Sequence, residues 1–456
     1  MLDRPNLDSK IVIYPYINRI ILIRENLNSP QYTYRHINQN QSIIVLRILV
    51  LAGGIGIILF GGYVALSIII RPSIEVFDID INIADSALEI SALPKSRPFL
   101  MSYTNQPFDW NEQAFQDTAR LIEAHADAIT IFYDVGVPWH EAFEGKSYHP
   151  AVEADIQRQV EISKNFQNVI LLTSFLASDR VNLSFDATGE TGMERRSGVW
   201  ADLDFNDPQV VTAYLNYCRD LIERFQPDYF GYVAEIDAAY TNAHNPRFLK
   251  LRDMAKTIYE TLKAEYPALT VFIEFNLGDK PYMEERKDVI DALLPYSDLY
   301  ALSTYPDHFD PIAGDAMKLP SDWFTRANMY AKGKPIAILE TGFLAEPFMH
   351  PTLGIRVAGR DKRLLIPGGE KSQALYIKRL LEAAILLDME FVNLWAIRDL
   401  DPLFEKLALS EDEFMSDPMA GLAKNIGLYD RDGNPRPALD IWDAWFRIPL
   451  QQGTFN

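Results

Sequence analysis

PIAILETGF, residues 335–343, is a short apolar run that ends abruptly in a glutamate, a threonine and a glycine. A run of this length and composition, followed by a turn signal, is typical of a buried parallel strand. A helical stretch, Lys371–Leu387, comes after it, and the next apolar run begins soon afterwards. The segment is therefore predicted to be one βα unit of a larger parallel array.

The same alternation of apolar runs and amphipathic stretches continues in both directions, from Arg97 to the C-terminal part of the chain. The predicted strands are Phe99–Tyr103, Ala128–Tyr133, Val169–Thr173, Tyr229–Val233, Thr270–Phe275, Leu299–Ser303, Pro335–Leu339 and Phe391–Trp395. The other predicted helices are Glu112–Ala124, Ala151–Phe166, Pro208–Phe225 and Pro246–Tyr266. Eight such units predict a (β/α)₈ TIM barrel over residues 97–449. A doubly wound sheet is the alternative, but it usually has fewer strands and a glycine-rich first turn.

The N-terminal part of the chain carries a different signal. Residues 48–70 contain no charged side chain and are bracketed by Arg47 and Arg71. This length spans the hydrocarbon core of a bilayer as a helix, so we expect a single transmembrane helix after an N-terminal arm of residues 1–47. Residues 71–96 are expected to be a linker. Basic residues predominate before the helix and acidic residues after it, which favours an extracytoplasmic barrel.

Composition excludes some partners and leaves others open. The net charge is −20, whereas nucleic-acid binding needs clustered basic side chains. The single cysteine, Cys218, permits no intramolecular disulfide and is expected to be a buried helix residue. No H-x-H or H-E-x-x-H motif occurs, so we expect neither a metal nor a cofactor.

The chemistry of a TIM barrel lies at the carboxyl ends of its strands. Glu235 follows the fourth predicted strand and Glu340 the seventh. Two carboxylates facing each other across a barrel mouth are what glycoside hydrolysis needs, one as a proton donor and one ionised. Glu274, on the fifth strand, is a rival to Glu235 or a group that changes a neighbour's pKa. A structural role in an ion pair remains the alternative for Glu235.

The sequence here resembles glycoside hydrolase clan A, nearest in character to families 53 and 5. The resemblance lies in Glu235 after strand four, in AILETGF around Glu340, in LSTYPDHF around Tyr305, and in NIGLYDRDGNPRPALDIW, residues 425–442. It implies a retaining enzyme in which Glu340 is the nucleophile, Glu235 is the acid/base and Tyr305 donates to the nucleophile. The two carboxyl groups of a retaining pair lie about 5–5.5 Å apart.

The residues that follow the predicted strands also include candidates for substrate binding. Aromatic side chains that could stack on sugar rings are Tyr305, Trp395, Phe343 and Trp139, and Asp134 and Asn276 are candidates for contacts to sugar hydroxyls. One position departs from the clan. Its members usually carry an asparagine, which contacts the 2-hydroxyl of the sugar, before the acid/base glutamate, and Ala234 stands there instead.

The expected function is therefore hydrolysis of a β-linked glycan at the cell surface by a membrane-anchored enzyme. A non-catalytic glycan-binding barrel, or a scaffold subunit of a membrane polysaccharide complex, is the alternative, and Ala234 is its main support. Long segments after strands three, seven and eight are expected to wall the cleft. Their arginines, Arg180 among them, are interpreted either as contacts to an acidic polysaccharide or as a solvated loop surface.

Overall fold

The computed structural model describes residues 11–12, 21–22, 83–90, 93–134, 136–187, 194–306, 314–357, 360–407 and 423–451. The expected transmembrane segment, residues 48–70, and nearly all of the arm lie outside these ranges. No helix within the described ranges combines the length and apolar character needed to cross a membrane. The anchor is therefore still a prediction from the sequence.

The chain divides into two compact units. One comprises Met1–Asp78, Met349–Leu365 and Asp417–Met419, and the other comprises Ile79–Phe348, Ile366–Ser416 and Ala420–Asn456. In the first, Ile11–Val12 pairs antiparallel with Ile21–Leu22. Strands Phe348–Val357 and Arg360–Ile366 also form a two-stranded sheet.

The second unit contains a closed barrel of eight parallel strands, as predicted. The strands are β1 Leu100–Thr104, β2 Ala128–Tyr133, β3 Asn168–Thr173, β4 Tyr229–Gly231, β5 Thr270–Asn276, β6 Tyr300–Thr304, β7 Ile336–Thr341 and β8 Phe391–Leu394. Each strand pairs with the next in sequence, and β8 closes the barrel by pairing with β1 along Phe391–Leu394. The doubly wound alternative is excluded because its sheet has two open edges.

A helix follows each strand. The helices are α1 Glu112–His125, α2 Pro150–Ser163, α3 Pro208–Phe225, α4 Pro246–Glu265, α5 Lys280–Leu293, α6 Asn328–Ala331, α7 Glu370–Leu386 and α8 Pro437–Phe446. Asp207, Asn245 and Asp279 cap α3, α4 and α5, and a proline follows each cap within the first two positions of the helix. Such a proline has no N–H that would be left unpaired, and the preceding side chain accepts from later N–H groups. These local signals explain why the sequence places the helix starts well.

Side chains alternate between the inside of the barrel and the layer under the helices. Leu172, Phe272, Ala301 and Leu339 are in one buried cluster together with Ala234. Their strand neighbours, such as Ile273 and Ile338, belong to the larger cluster that the helices cover. The interior is thus a packed core below the strand ends, as in TIM barrels, and only the upper positions are available for chemistry.

The segment Asn425–Trp442 leads into α8 and contains its first residues, and it fixes the loop above β8. The guanidinium of Arg436 donates to both carboxylate oxygens of Asp399, and both side chains are about 1% exposed. Asp399 also accepts from the backbone N–H of Gly427. Asp399 therefore holds this loop in place.

Part of the expected linker is described. Residues 83–90 contain the short helix Asp85–Leu88, and Ile83 is buried. Lys378 of α7 donates to the carbonyl of Ala87, and Lys371 pairs with Asp85. The end of the linker thus packs on the outside of the barrel.

Candidate active site

Glu235 lies at a β-bulge between β4 and β5. The N–H of Glu274 donates to the carbonyl of Val233, and the carbonyl of Glu274 accepts from the N–H of Ile236. Two residues, Ala234 and Glu235, therefore oppose the single residue Glu274, which is the definition of a bulge. The φ of Glu235 is +44°, a left-handed conformation that is costly for a residue with a side chain. Such strain is commonly found at functional sites, where it redirects a side chain.

Glu340 lies at a second bulge, in β7. Leu302 pairs with Ile338, but the next residue, Ser303, pairs with Glu340, so Leu339 is an extra residue. Leu339 points into the barrel core. Because of the bulge, the following residue, Glu340, pairs with Ser303 near the strand end, and its side chain is not turned outward as regular alternation would require. Both expected catalytic carboxylates thus depend on an irregularity of the sheet.

Arg180 holds Glu235 in place. Its Nε donates to Oε2 of Glu235 over 3.0 Å, and its Nη2 lies 3.5 Å from Oδ2 of Asp134. All three side chains are largely buried, with exposures between 12% and 22%. Arg180 itself has a φ of +53°. It therefore belongs to the site and not to a solvated loop surface, and this role was missed from the sequence because nothing local distinguishes it from other loop arginines.

Glu340 accepts a hydrogen bond from the hydroxyl of Tyr305 to Oε1, over 2.8 Å. Burial raises the pKa of Glu340 to about 8, and the nearby charge of Glu235 acts in the same direction. The Tyr305 hydroxyl and the Arg180 guanidinium partly oppose this rise in pKa. In the substrate-free protein Glu340 therefore holds a proton near neutral pH, and the proton is shared within an interacting cluster of carboxyls.

Glu274 extends the same cluster. It is completely buried on β5, and neither of its carboxyl oxygens has a hydrogen-bond partner. Burial raises its pKa well above the ordinary value, and the charges of Glu340 and Glu235 raise it further. The position of Glu274 thus agrees with the expectation that it interacts electrostatically with Glu235 and Glu340.

Trp395 follows β8 and is partly exposed. Its ring contacts Phe132 of β2 edge-on, with centroids 5.4 Å apart. Phe132 packs on the interior cluster of the barrel. Trp395 is therefore near the barrel mouth, where a ring face can meet a sugar.

Two expected stacking residues are elsewhere. Trp139 is completely buried, donates through its indole N–H to the carbonyl of Ser184 and packs against Trp200 and Tyr214. Phe343 is 1% exposed and stacks on Tyr376, with centroids 4.5 Å apart. A ring already covered by protein offers no face to a sugar, so the structure contradicts a stacking role for these two residues.

Asn276 is also occupied by the protein. Its backbone N–H and its side-chain amide both donate to Oδ1 of Asp237, and both residues are completely buried. Burial raises the pKa of Asp237 to about 6. These contacts make Asn276 a support for the loop after β4, and a contact to a sugar hydroxyl remains a prediction.

Within the described ranges, no group of three or more His, Cys, Asp or Glu residues is arranged to hold a metal ion.

Comparisons with known proteins place the fold. No family model matches the chain, and no curated protein matches it by sequence. Among solved structures, a GH5_18 protein from Streptomyces cattleya in complex with Manβ1-4GlcNAc matches with a TM-score of 0.51 and 12% identity, covering 78% of this chain and 83% of that one. The chain has the fold of the glycoside hydrolase barrels.

Further structures agree. A GH5_18 protein from Bifidobacterium longum, also in complex with Manβ1-4GlcNAc, matches with a TM-score of 0.52 and 12% identity over 77% of this chain and 80% of that one. The exo-β-1,4-mannosidase Op5Man5 from an Opitutaceae bacterium matches with a TM-score of 0.51 and 14% identity. The match covers 78% of this chain and 60% of that one. The expected resemblance to clan A is thus confirmed for the fold, and at these identities the likeness shows no more than the fold.

Proposed function

We propose that this protein is a membrane-anchored retaining glycoside hydrolase that acts on a β-linked glycan, with Glu340 as nucleophile and Glu235 as acid/base. The observation that carries the proposal is the arrangement of Tyr305, Glu340, Glu235 and Arg180 at the carboxyl end of the barrel. Its parts come from β4, β6, β7 and the loop after β3. Separate elements converge on two carboxylates, each beside a bulge of the sheet, and the hydrophobic core needs neither of them.

The roles follow from the hydrogen bonds. The hydroxyl of Tyr305 stabilises the charged form of Glu340 and holds one of its oxygens, which leaves the other to attack the anomeric carbon. Arg180 fixes Oε2 of Glu235, and the opposite oxygen can exchange a proton with the leaving oxygen and then with water. In the absence of substrate, however, burial favours a protonated Glu340. Glu340 must therefore lose this proton before it can attack as a carboxylate.

A direct trapping experiment tests this assignment. A 2-deoxy-2-fluoro β-glycoside slows breakdown of the glycosyl-enzyme, and mass spectrometry of the peptides then identifies the labelled residue. We expect the label on Glu340. A label on Glu235 would reverse the two roles, and inversion of the anomeric configuration, followed by NMR, would exclude the retaining mechanism.

The substrate class is proposed from the site and from similar folds. Two of the similar structures contain Manβ1-4GlcNAc, and a third is described as an exo-β-1,4-mannosidase. A screen of 4-nitrophenyl β-D-glycosides and β-linked oligosaccharides should therefore begin with mannosides. We expect hydrolysis of at least one member.

Variants of the pair identify the catalytic groups. Glu340→Ala and Glu235→Ala should each lower kcat by about 10³-fold or more, since each removes a group that acts at the reacting bond. Glu260→Gln, on the exposed face of α4, is the matched control and should retain full activity. Equal activity of Glu340→Ala and the control would refute the assignment.

The anchor is proposed from residues 48–70 and an extracytoplasmic barrel from the charge asymmetry around them. Lysines placed at Ile57 and Leu59 each cost about 2.5–3.5 kcal/mol at the centre of a bilayer. We expect the full chain to remain with membranes after a carbonate wash and the double variant to be released. Retention of both proteins would contradict the anchor.

A non-catalytic glycan-binding barrel is the second candidate. It is favoured by Ala234, which provides no polar side chain, and by the ion pair that engages Glu235. If the wild type binds oligosaccharides in calorimetry but releases no reducing sugar across the panel, this second function replaces the first.

A further inference from the structure

The roles proposed for Glu235 and Glu340 leave a third carboxyl in the site, that of Glu274, without a function. It is 0% exposed, and neither of its oxygens accepts or donates a hydrogen bond. A buried carboxyl without a partner destabilises the fold, because it loses hydration and gains nothing in return. A methionine or leucine would fill the same volume without that cost. The acid therefore calls for an explanation outside the packing of the core.

The position of Glu274 supplies one. Its backbone bonds bracket Ala234 and Glu235, so it lies directly opposite the bulge. Ala234 and Phe272 both belong to the interior cluster. Phe272 precedes Glu274 by two positions on β5, and residues two apart on a strand face the same side, so the side chain of Glu274 also faces the inside of the barrel. Alanine ends at its β-carbon. Hence the polar group beside Glu235 on this side of the barrel interior is the carboxyl of Glu274 on β5, because residue 234 provides none.

Charge decides the chemical form of Glu274. The groups that act on it are Glu340, Glu235, Asp134 and the guanidinium of Arg180. Four carboxyls around one guanidinium cannot all be ionised in a buried site, because like charges at short range repel strongly. Glu274 has no hydrogen-bond donor to stabilise a negative charge, whereas Tyr305 donates a hydrogen bond to Glu340 and Arg180 donates one to Glu235. A proton therefore resides on Glu274 in the substrate-free protein.

We propose that Glu274 is a substrate-binding residue which, as a neutral carboxylic acid, donates to and accepts from one hydroxyl group of the sugar ring held between Glu235 and Glu340. The inference rests on the proposed glycosidase function and adds the residue that orients the reacting sugar. A neutral acid offers one O–H donor and a carbonyl acceptor, which match a hydroxyl group. Both oxygens are covered in the substrate-free protein, so the sugar hydroxyl reaches them only when the carboxyl groups of Glu235 and Glu340 separate around the sugar. The oxygens then gain the partners that they lack here.

Substrates that lack one hydroxyl test the proposal. The best 4-nitrophenyl β-D-glycoside of the panel and its monodeoxy forms are compared on the wild type and on Glu274→Met, which keeps the volume and removes both oxygens. We expect the variant to lose about 10- to 100-fold in kcat/KM on the parent sugar. We expect that loss to disappear on one deoxy sugar. An equal loss on every sugar would overturn the proposal.

Conservative replacement separates binding from structural support. Glu274→Gln keeps a donor and an acceptor at nearly the same positions, so it should recover most of the activity that Glu274→Met loses. Both variants should unfold at the same or a higher temperature than the wild type, since the acid costs stability. Parallel loss of thermal stability and activity in both variants would make Glu274 a structural residue and refute the proposal.

The protonation state is measured without turnover. Infrared difference spectra of the wild type minus Glu274→Gln should show the carbonyl band of a protonated carboxyl at neutral pH, and addition of the parent sugar should shift it. The band tests Glu274 even if no glycoside is hydrolysed, so failure of the catalytic function is distinguishable. A carboxylate band at this position would contradict the proposal.

Discussion

At the scale of single residues, the site is governed by a shortage of positive charge around its carboxyls. Arg180 faces Glu235 and Asp134, while Glu340 is stabilised by the neutral hydroxyl of Tyr305. Glu340 and Glu274 therefore retain protons near neutral pH, where exposed carboxyls would be ionised. The sequence identified Glu235, Glu340 and Tyr305 from their places after strands, but Arg180 comes from a long loop whose path only the folded chain defines.

The raised pKa of Glu340 predicts how stability depends on pH. Its folded-state pKa is about 8 against an ordinary value of 4.5, so the folded protein binds this proton more tightly than the unfolded chain. The resulting stability is fully present below about pH 4.5 and is lost as pH rises towards about 8. Denaturant titrations should show the free energy of unfolding falling over this range by a few kcal/mol, and Glu340→Gln should flatten the decline. If the free energy of unfolding fell with pH as steeply in the variant as in the wild type, the raised pKa of Glu340 would not be the cause of the decline.

Tyr305→Phe removes the hydroxyl that lowers the pKa of Glu340. The pKa of Glu340 should rise further, so the acid limb of the kcat/KM profile should move to higher pH. Loss of a hydrogen bond to a charged group should reduce kcat/KM by about 10- to 100-fold at neutral pH. A profile that keeps its shape while only KM changes would indicate that Tyr305 binds substrate without acting on Glu340.

At the scale of elements, the bulges at Glu235 and Glu340 convert regular strands into a site. An unbroken alternation in β7 would turn Glu340 away from the interior, because Leu339 already faces it. The sequence placed both glutamates at strand ends without predicting the bulges. Register shifts depend on neighbouring strands, so no local pattern reports them.

The interior of β4 yields a prediction at this scale. A β-carbon added at Gly231 would lie 2.5 Å from Cδ1 of Leu172 and 2.8 Å from Cε2 of Phe272, both inside the barrel. Gly231→Ala should therefore destabilise the protein by about 1–3 kcal/mol through overpacking. Gly369→Ala is the control, since nothing lies within 4 Å of its added carbon. Equal losses in thermal denaturation for the two variants would exclude overpacking as the cause.

At the scale of the whole molecule, Arg97 joins the first strand to the last helix. Its guanidinium donates to the carbonyls of Phe99 and Ile448 and to Asp127, and it is 2% exposed. Arg97 and Leu450 also form a parallel bridge. These contacts lie at the amino ends of the strands, at the opposite end of the barrel from Glu235 and Glu340.

Arg97→Ala should thus reduce stability without altering the chemistry. Removing one partner of a buried ion pair costs about 3–5 kcal/mol, because the other charge stays buried. Chemical denaturation should show this loss, while the kcat of the folded fraction should match that of the wild type. A reduced kcat with unchanged stability would contradict the separation of the two barrel ends.

The sequence by itself determined the eight βα units, their order and the two glutamates at strand ends, because periodicity, caps and strand composition act over short stretches of chain. Trp139 and Phe343 show where that reasoning fails. An aromatic side chain after a strand has the same local signature whether it faces a cleft or Tyr376. Only the tertiary structure decided which rings are covered, that Arg180 reaches Glu235, and that Glu274 stands opposite Ala234, because each depends on contacts between elements far apart in sequence.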